Sequence, residues 1–163
     1  GRGSSDTLQR KRNAPMTVQP FNDEYFMRRA LDEARQAAAE GEVPVGAVVV
    51  CGDRVIARAH NQTERLNDPT AHAEMLAITA ATGAMGAKYL PECRLYVTVE
   101  PCVMCAGAIG WAQLGAVVYG APDVKRGFTV YAPQAFHPRT EVRGGVMEAE
   151  CAAEMTAFFR AKR

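Results

Sequence analysis

Four residues of this chain have the types and spacing to act together: His72 and Glu74 in "TAHAEML", and Cys102 and Cys105 in "EPCVMCAG". Cysteines three apart on a helix share a face, so both sulfurs can converge on one atom. Each pair follows a proline and falls at the expected start of a helix. The positive end of the helix dipole there favours the thiolate, the form that binds metal. One imidazole and two thiolates make a three-ligand donor set of the type zinc prefers. A closed structural site takes four protein ligands, whereas three leave a position for water, as in a catalytic zinc centre. The other histidines are His60 and His137, and His60 ends a strand at the same sheet edge. A lone CxxC also fits a redox pair, but no aromatic–glycine turn precedes Cys102, and that reading leaves His72 and Glu74 unexplained.

Glu74 sets the chemistry. Two residues beyond His72, it points away from the ligand direction. Zinc lowers the pKa of a bound water from about 15.7 to about 7. A carboxylate beside that water can take its proton and carry it to a substrate. Together these groups can hydrolyse a C–N bond at an amidine-like carbon.

The elements that must position these residues can be read from pattern. "NDEYFMRRALDEARQAAAEG" predicts a helix capped by Asn22 and stopped near Gly41, with Phe26, Ala30, Leu31, Ala34 and Ala37 on one face. "VPVGAVVVC" and "RVIARAH" predict a β-hairpin about Gly52-Asp53. "DPTAHAEMLAITAATG" predicts a helix capped by Asp68 with Pro69 in its first turn. "RLYVTV" and "AVVYG" predict buried strands separated by a helix that starts at Glu100-Pro101, and "RGGVME" predicts a last edge strand. Residues 121–142 predict an irregular segment with short helical turns lying over a site, and "AECAAEMTAFFRAKR" an amphipathic closing helix with a basic end. The expected fold class is α/β: a three-layer αβα arrangement of a mixed five-stranded sheet flanked by helices, parallel in part because of the helical crossovers. Helices that follow parallel strands start at one sheet edge, which brings His72 to the cysteines.

Composition narrows the class further. The chain has 163 residues, 48% apolar and 23% charged, enough for one domain with a proper core. No apolar run reaches the roughly 18 residues of a membrane span, and no secretory h-region opens the chain, so the cytoplasm is the expected compartment. Five cysteines form no disulfide framework, and Cys51, Cys93 and Cys151 read as buried small hydrophobes. A net charge of +1 gives no sign of a strongly basic nucleic-acid binder, although a local patch can serve. Residues 1–20 are expected to form a flexible arm, its Gly-Arg-Gly-Ser-Ser opening reading as part of an expression tag, ahead of one domain over 21–163.

"HAEM" followed by "PCVMC" resembles the zinc-dependent nucleoside and nucleobase deaminases. "EVPVGAVVV", "HNQTERLNDPTAHAEM", "LYVTVEPCVMCAGAI" and "VVYGAPDVKRG" narrow the resemblance to the bacterial tRNA adenosine deaminases, from about Asp23 to the end. The resemblance implies a cytidine deaminase-like fold and hydrolysis of the wobble adenosine (position 34) of a tRNA anticodon loop to inosine. One catalytic zinc per chain would be held by His72, Cys102 and Cys105, with Glu74 shuttling the proton. It further implies that Asn61 contacts the nucleoside, that Val45 and Gly46 line the base pocket, and that the Ala73 backbone N–H helps read the base. Asp123, Lys125 and Arg126 would meet the anticodon backbone. Members are commonly homodimers, for which "AGAIGWAQLG" with Trp111 offers a contact face. The chain departs from the family after Gly127, where "FTVYAPQAFHPRT" replaces a Gly/Ala/Ser segment. The alternatives are a deaminase of free guanine, cytosine or adenosine, and a silent module that keeps zinc for stability, which usually lacks the glutamate.

Overall fold

The computed structural model describes residues 21–162; the expected arm over 1–20 lies outside them. Helix α1 (Asp23–Ala39) starts where Asn22 Oδ1 accepts the Tyr25 N–H at 2.9 Å. Such a cap stabilises a helix by about 1 kcal/mol. Strands β1 (Gly46–Cys51) and β2 (Arg54–His60) form the hairpin around Gly52-Asp53. Then come α2 (Ala73–Met85), β3 (Cys93–Val99), α3 (Val103–Ala112), β4 (Ala116–Ala121), the single turn α4 (Phe128–Tyr131), β5 (Glu141–Arg143) and α5 (Glu148–Ala161).

The strands form one sheet in the order β2-β1-β3-β4-β5. β1 is antiparallel to both neighbours, and β3, β4 and β5 run parallel. β2 therefore points the same way as β3, and the crossover through α2 passes over β1. Side chains alternate between faces, as the pleat requires. Val48, Val50, Tyr96 and Val118 pack with Phe26, Met27, Ala30 and Leu31 of α1 and Cys151 of α5. Ala47, Val49, Leu95, Val97 and Val117 pack with Ala73, Ala77 and Ala81 of α2 and Ile109 of α3. Each large side chain fully buried in these layers stabilises the fold by about 1.5–3 kcal/mol. Among the described residues, no helix is long and apolar enough to cross a membrane. All five cysteines are free; Cys93 and Cys151 are buried, and Cys51 is half-buried.

Three boundaries differ from the sequence expectation. α3, expected from Glu100-Pro101, starts at Val103 with Cys102 as its N-cap. α2 starts at Ala73 rather than after Asp68, and His72 is its N-cap. Asp68 instead closes a turn of its own, its Oδ1 accepting both the backbone N–H and the hydroxyl of Thr70. The edge strand is Glu141–Arg143 rather than 143–148. The chain after it turns through Met147 at φ 55°, which no strand accommodates.

Gly46 marks the closest approach of sheet and helix. A Cβ there would run into the Ala30 carbonyl and the Ala34 backbone nitrogen, so only glycine lets α1 lie on β1 at this spacing. Its buried N–H donates to Thr98 Oγ1 at 3.1 Å, tying the start of β1 to β3.

Candidate active site

Because β2 and β3 point the same way, the helices that follow them begin side by side at one sheet edge. His72 is the N-cap of α2, and Cys102 is the N-cap of α3. Pro101 lies between the end of β3 at Val99 and Cys102, and a proline favours extended backbone at the residue before it. Cys105, in the first turn of α3, turns back onto the same point. His72 Nδ1 lies 3.6 Å from both Cys102 Sγ and Cys105 Sγ. The three donor atoms all fall within 4.8 Å of one another.

This spacing matches zinc. Tetrahedral bonds of about 2.0–2.1 Å to nitrogen and 2.3 Å to sulfur place an N and an S about 3.6 Å apart. The electrostatics point the same way. The Cys102 thiol is brought down to about 4, because Cys105 donates to it and His72 lies beside it. Cys105 is pushed up, its proton held by Cys102 and by burial. The His72 pKa is raised by its hydrogen bond to Cys102. Metal binding takes thiolate sulfur, so a cation bound here would displace the proton held between the two sulfurs. The donor set of one imidazole and two sulfurs fits zinc.

Glu74 lines the pocket beside this cluster and is buried, only 4% exposed. Burial pushes its carboxyl up to about 7, while its own backbone N–H pulls the other way. The pocket, of about 290 Å³, is lined by His72, Glu74 and Cys102, and by Val45, Asn61, Ala73 and Asp123 from among the other sequence candidates. Asn61 is 6% exposed, and its Oδ1 has no hydrogen-bond partner among the described residues. A buried acceptor without a partner costs roughly 1–3 kcal/mol, which a donor on a bound ligand would recover.

Gly46 is absent from the lining and faces α1 instead. Lys125 and Arg126 line an adjoining depression together with Cys102, Val103, Met104 and Tyr131. The pocket also draws on Val43, Thr63, Val99, Glu100 and Met155, which the sequence reading did not single out. Met155 arrives from α5, and no local pattern marks it. Glu100 was open to detection, as a charge ending an apolar strand. Outside the pocket lining, the buried carboxylate of Glu42 accepts the backbone N–H groups of Glu64 and Arg65 and fixes the loop after Asn61.

A mixed sheet between helix layers, with an N/S/S cluster and a buried carboxylate at two helix starts, defines a zinc hydrolase of the deaminase type. Residues 20–121 match the model of the cytidine and deoxycytidylate deaminase zinc-binding region. The chain is 46% identical over 144 residues to the tRNA-specific adenosine deaminase of Agrobacterium fabrum (strain C58), covering 85% of this chain and 95% of that one. A structure solved in work on A-to-I editing by tRNA:A34 deaminases superposes with a TM-score of 0.73 at 45% identity, covering 80% of this chain and 98% of the other. The guanine deaminase of Bacillus subtilis superposes with a TM-score of 0.60 at 45% identity, covering 62% and 65%. The chain belongs to the cytidine and deoxycytidylate deaminase zinc-binding family, and within it to the branch of the tRNA-specific adenosine deaminases.

Proposed function

We propose that this protein hydrolyses the wobble adenosine of a tRNA anticodon loop to inosine, with one zinc ion held by His72, Cys102 and Cys105. The observation that carries the reaction is the position of Glu74, a buried carboxyl in the pocket lining beside the three donor atoms. A zinc ion there supplies a Lewis acid that brings the pKa of a coordinated water to about 7. Glu74 accepts a proton from the attacking water and delivers it to N1 of the adenine ring as C6 becomes tetrahedral. Glu74 then takes the proton of the new C6 hydroxyl and passes it to the exocyclic amine, so that the C–N bond breaks, ammonia leaves and the C6 carbonyl forms. A carboxyl held near neutrality by burial suits both transfers, because an acid–base group works best when its pKa is close to the working pH.

Asn61 Oδ1 and the Ala73 backbone N–H hold the base, and Val45 walls the pocket. Asp123, Lys125 and Arg126 meet the anticodon backbone, the two cations serving the phosphates. The reactive carbon is inaccessible within a stack, and a loop base is cheaper to turn out than a paired one. The working unit is a homodimer, for which Trp111, 83% exposed on α3, offers a contact face. Residues 21–163 act as one deaminase domain, working in the cytoplasm.

The likeness to a guanine deaminase favours one second reading, a free-base enzyme. Zinc-loaded protein is therefore incubated with a tRNA transcript bearing adenosine at the wobble position, and with free adenosine, guanine and cytosine, at low and high salt. We expect inosine at the wobble position, suppressed by salt because phosphate contacts release counterions, and no turnover of the free compounds. Ammonia from a free base alongside an inert transcript would replace the RNA reading.

A further inference from the structure

Glu100 is the second buried carboxylate of the pocket wall, 5% exposed and two residues before Cys102. Both its oxygens are spent on one segment. Oε1 accepts the Asp123 N–H at 3.1 Å, and Oε2 accepts the Thr129 N–H at 3.1 Å and the Thr129 hydroxyl at 2.7 Å. The same segment is sewn to the start of α3 by the Phe128 N–H to Pro101 carbonyl bond and by a bridge between Cys102 and Gly127. A Cβ at Gly127 would strike the Glu100 carboxylate, so the chain passes directly over it. Asp123 extends the lock outward, since its Oδ1 accepts the N–H groups of Lys125 and Arg126. One buried carboxylate thus ties the cysteine end of the metal site to the backbone that carries Asp123, Lys125 and Arg126.

We infer that Glu100 is a positioning residue: it locks residues 123–129 to the start of α3 and so fixes the groups that hold the RNA around the target nucleotide. This inference rests on the RNA reading given above. Within the pocket wall, Glu100 spends both carboxylate oxygens on Asp123 and Thr129. It acts by holding the segment in one arrangement before RNA arrives, which spares binding the cost of ordering it.

Glu100→Gln tests the lock with little change of shape. Its amide turns one of two acceptors into a donor, so at least one N–H of Asp123 or Thr129 faces another N–H. The substrate is an anticodon stem-loop with adenosine at the wobble position. KM should rise roughly tenfold, the loss of one hydrogen bond to a charged group, with kcat and zinc content unchanged. Thr129→Val should raise KM less, and Thr129→Ser should restore it. Backbone amide exchange by NMR should quicken at Asp123 and Thr129 in Glu100→Gln, a readout independent of substrate. A fall in kcat at unchanged KM, a loss of zinc, or unchanged exchange at both amides overturns the inference. Wild-type protein inert on the stem-loop defeats the RNA reading and the KM claim with it, while the exchange data still decide whether Glu100 locks the segment.

Discussion

Gly46→Ala should damage folding far more than it damages the pocket. The new methyl group meets the Ala30 carbonyl, the Ala34 backbone nitrogen and the Glu33 Cβ, two of them backbone atoms that cannot swing aside. α1 cannot retreat freely either, because Phe26, Met27, Ala30, Leu31, Ala34 and Ala37 are buried along its length. Overpacking of this kind costs about 1–3 kcal/mol. Moving Gly46 away from α1 to relieve the clash would also disturb its buried N–H to Thr98 hydroxyl bond, worth about 1 kcal/mol more. The sum, about 2–4 kcal/mol, lowers the melting temperature by roughly 4–16 °C for a chain of this size. Differential scanning calorimetry of zinc-loaded protein measures the shift, and deamination per folded molecule should stay close to wild type below the melting range. A variant that melts with wild type yet loses activity would refute the packing argument and return Gly46 to the wall of the base pocket.

Two further perturbations probe other parts of the account. Cys102→Ser replaces a thiolate by a hydroxyl that stays protonated, so bound zinc should fall from one per chain to near zero by elemental analysis, and activity with it. His60 places Nδ1 on Glu33 at 2.9 Å and Nε2 on Glu40 at 2.8 Å. Burial pulls its pKa down, but the two carboxylates prevail and raise it above 6.5. The stabilisation is therefore complete below about 6.5, the pKa of the unfolded chain, and is lost as pH rises through the raised folded value. The melting temperature of wild type should exceed that of His60→Gln most at pH 6, and the gap should narrow by pH 9.

What the sequence disclosed depended on how local the signal was. α1 was legible because its buried residues recur at helical spacing and Asn22 precedes them, and the hairpin because Gly52-Asp53 interrupts two β-branched runs. The start of α2 was not, because Asp68-Pro69 carries the pattern of a cap although the aspartate spends its oxygen on Thr70. β5 has only three residues and a largely exposed face; its place is set by register against Ala116–Val118, which no local pattern encodes. The metal cluster could be anticipated because parallel strands oblige the next helices to start together. The pocket wall could not be in full, since Met155 joins it from the far end of the chain. Glu42 and Glu100 are intermediate cases, charges at the borders of apolar strands whose partners are backbone amides of distant loops.

The most direct test of the central claim is the single-turnover rate of inosine formation in a tRNA anticodon stem-loop by wild type and Glu74→Gln, each carrying one zinc. The amide keeps the volume of the side chain but cannot carry a proton, and proton transfer of this kind is worth about 10²–10⁴-fold. The account predicts a fall of that size with zinc content and RNA affinity unchanged. A Glu74→Gln enzyme that forms inosine at the wild-type rate would contradict it.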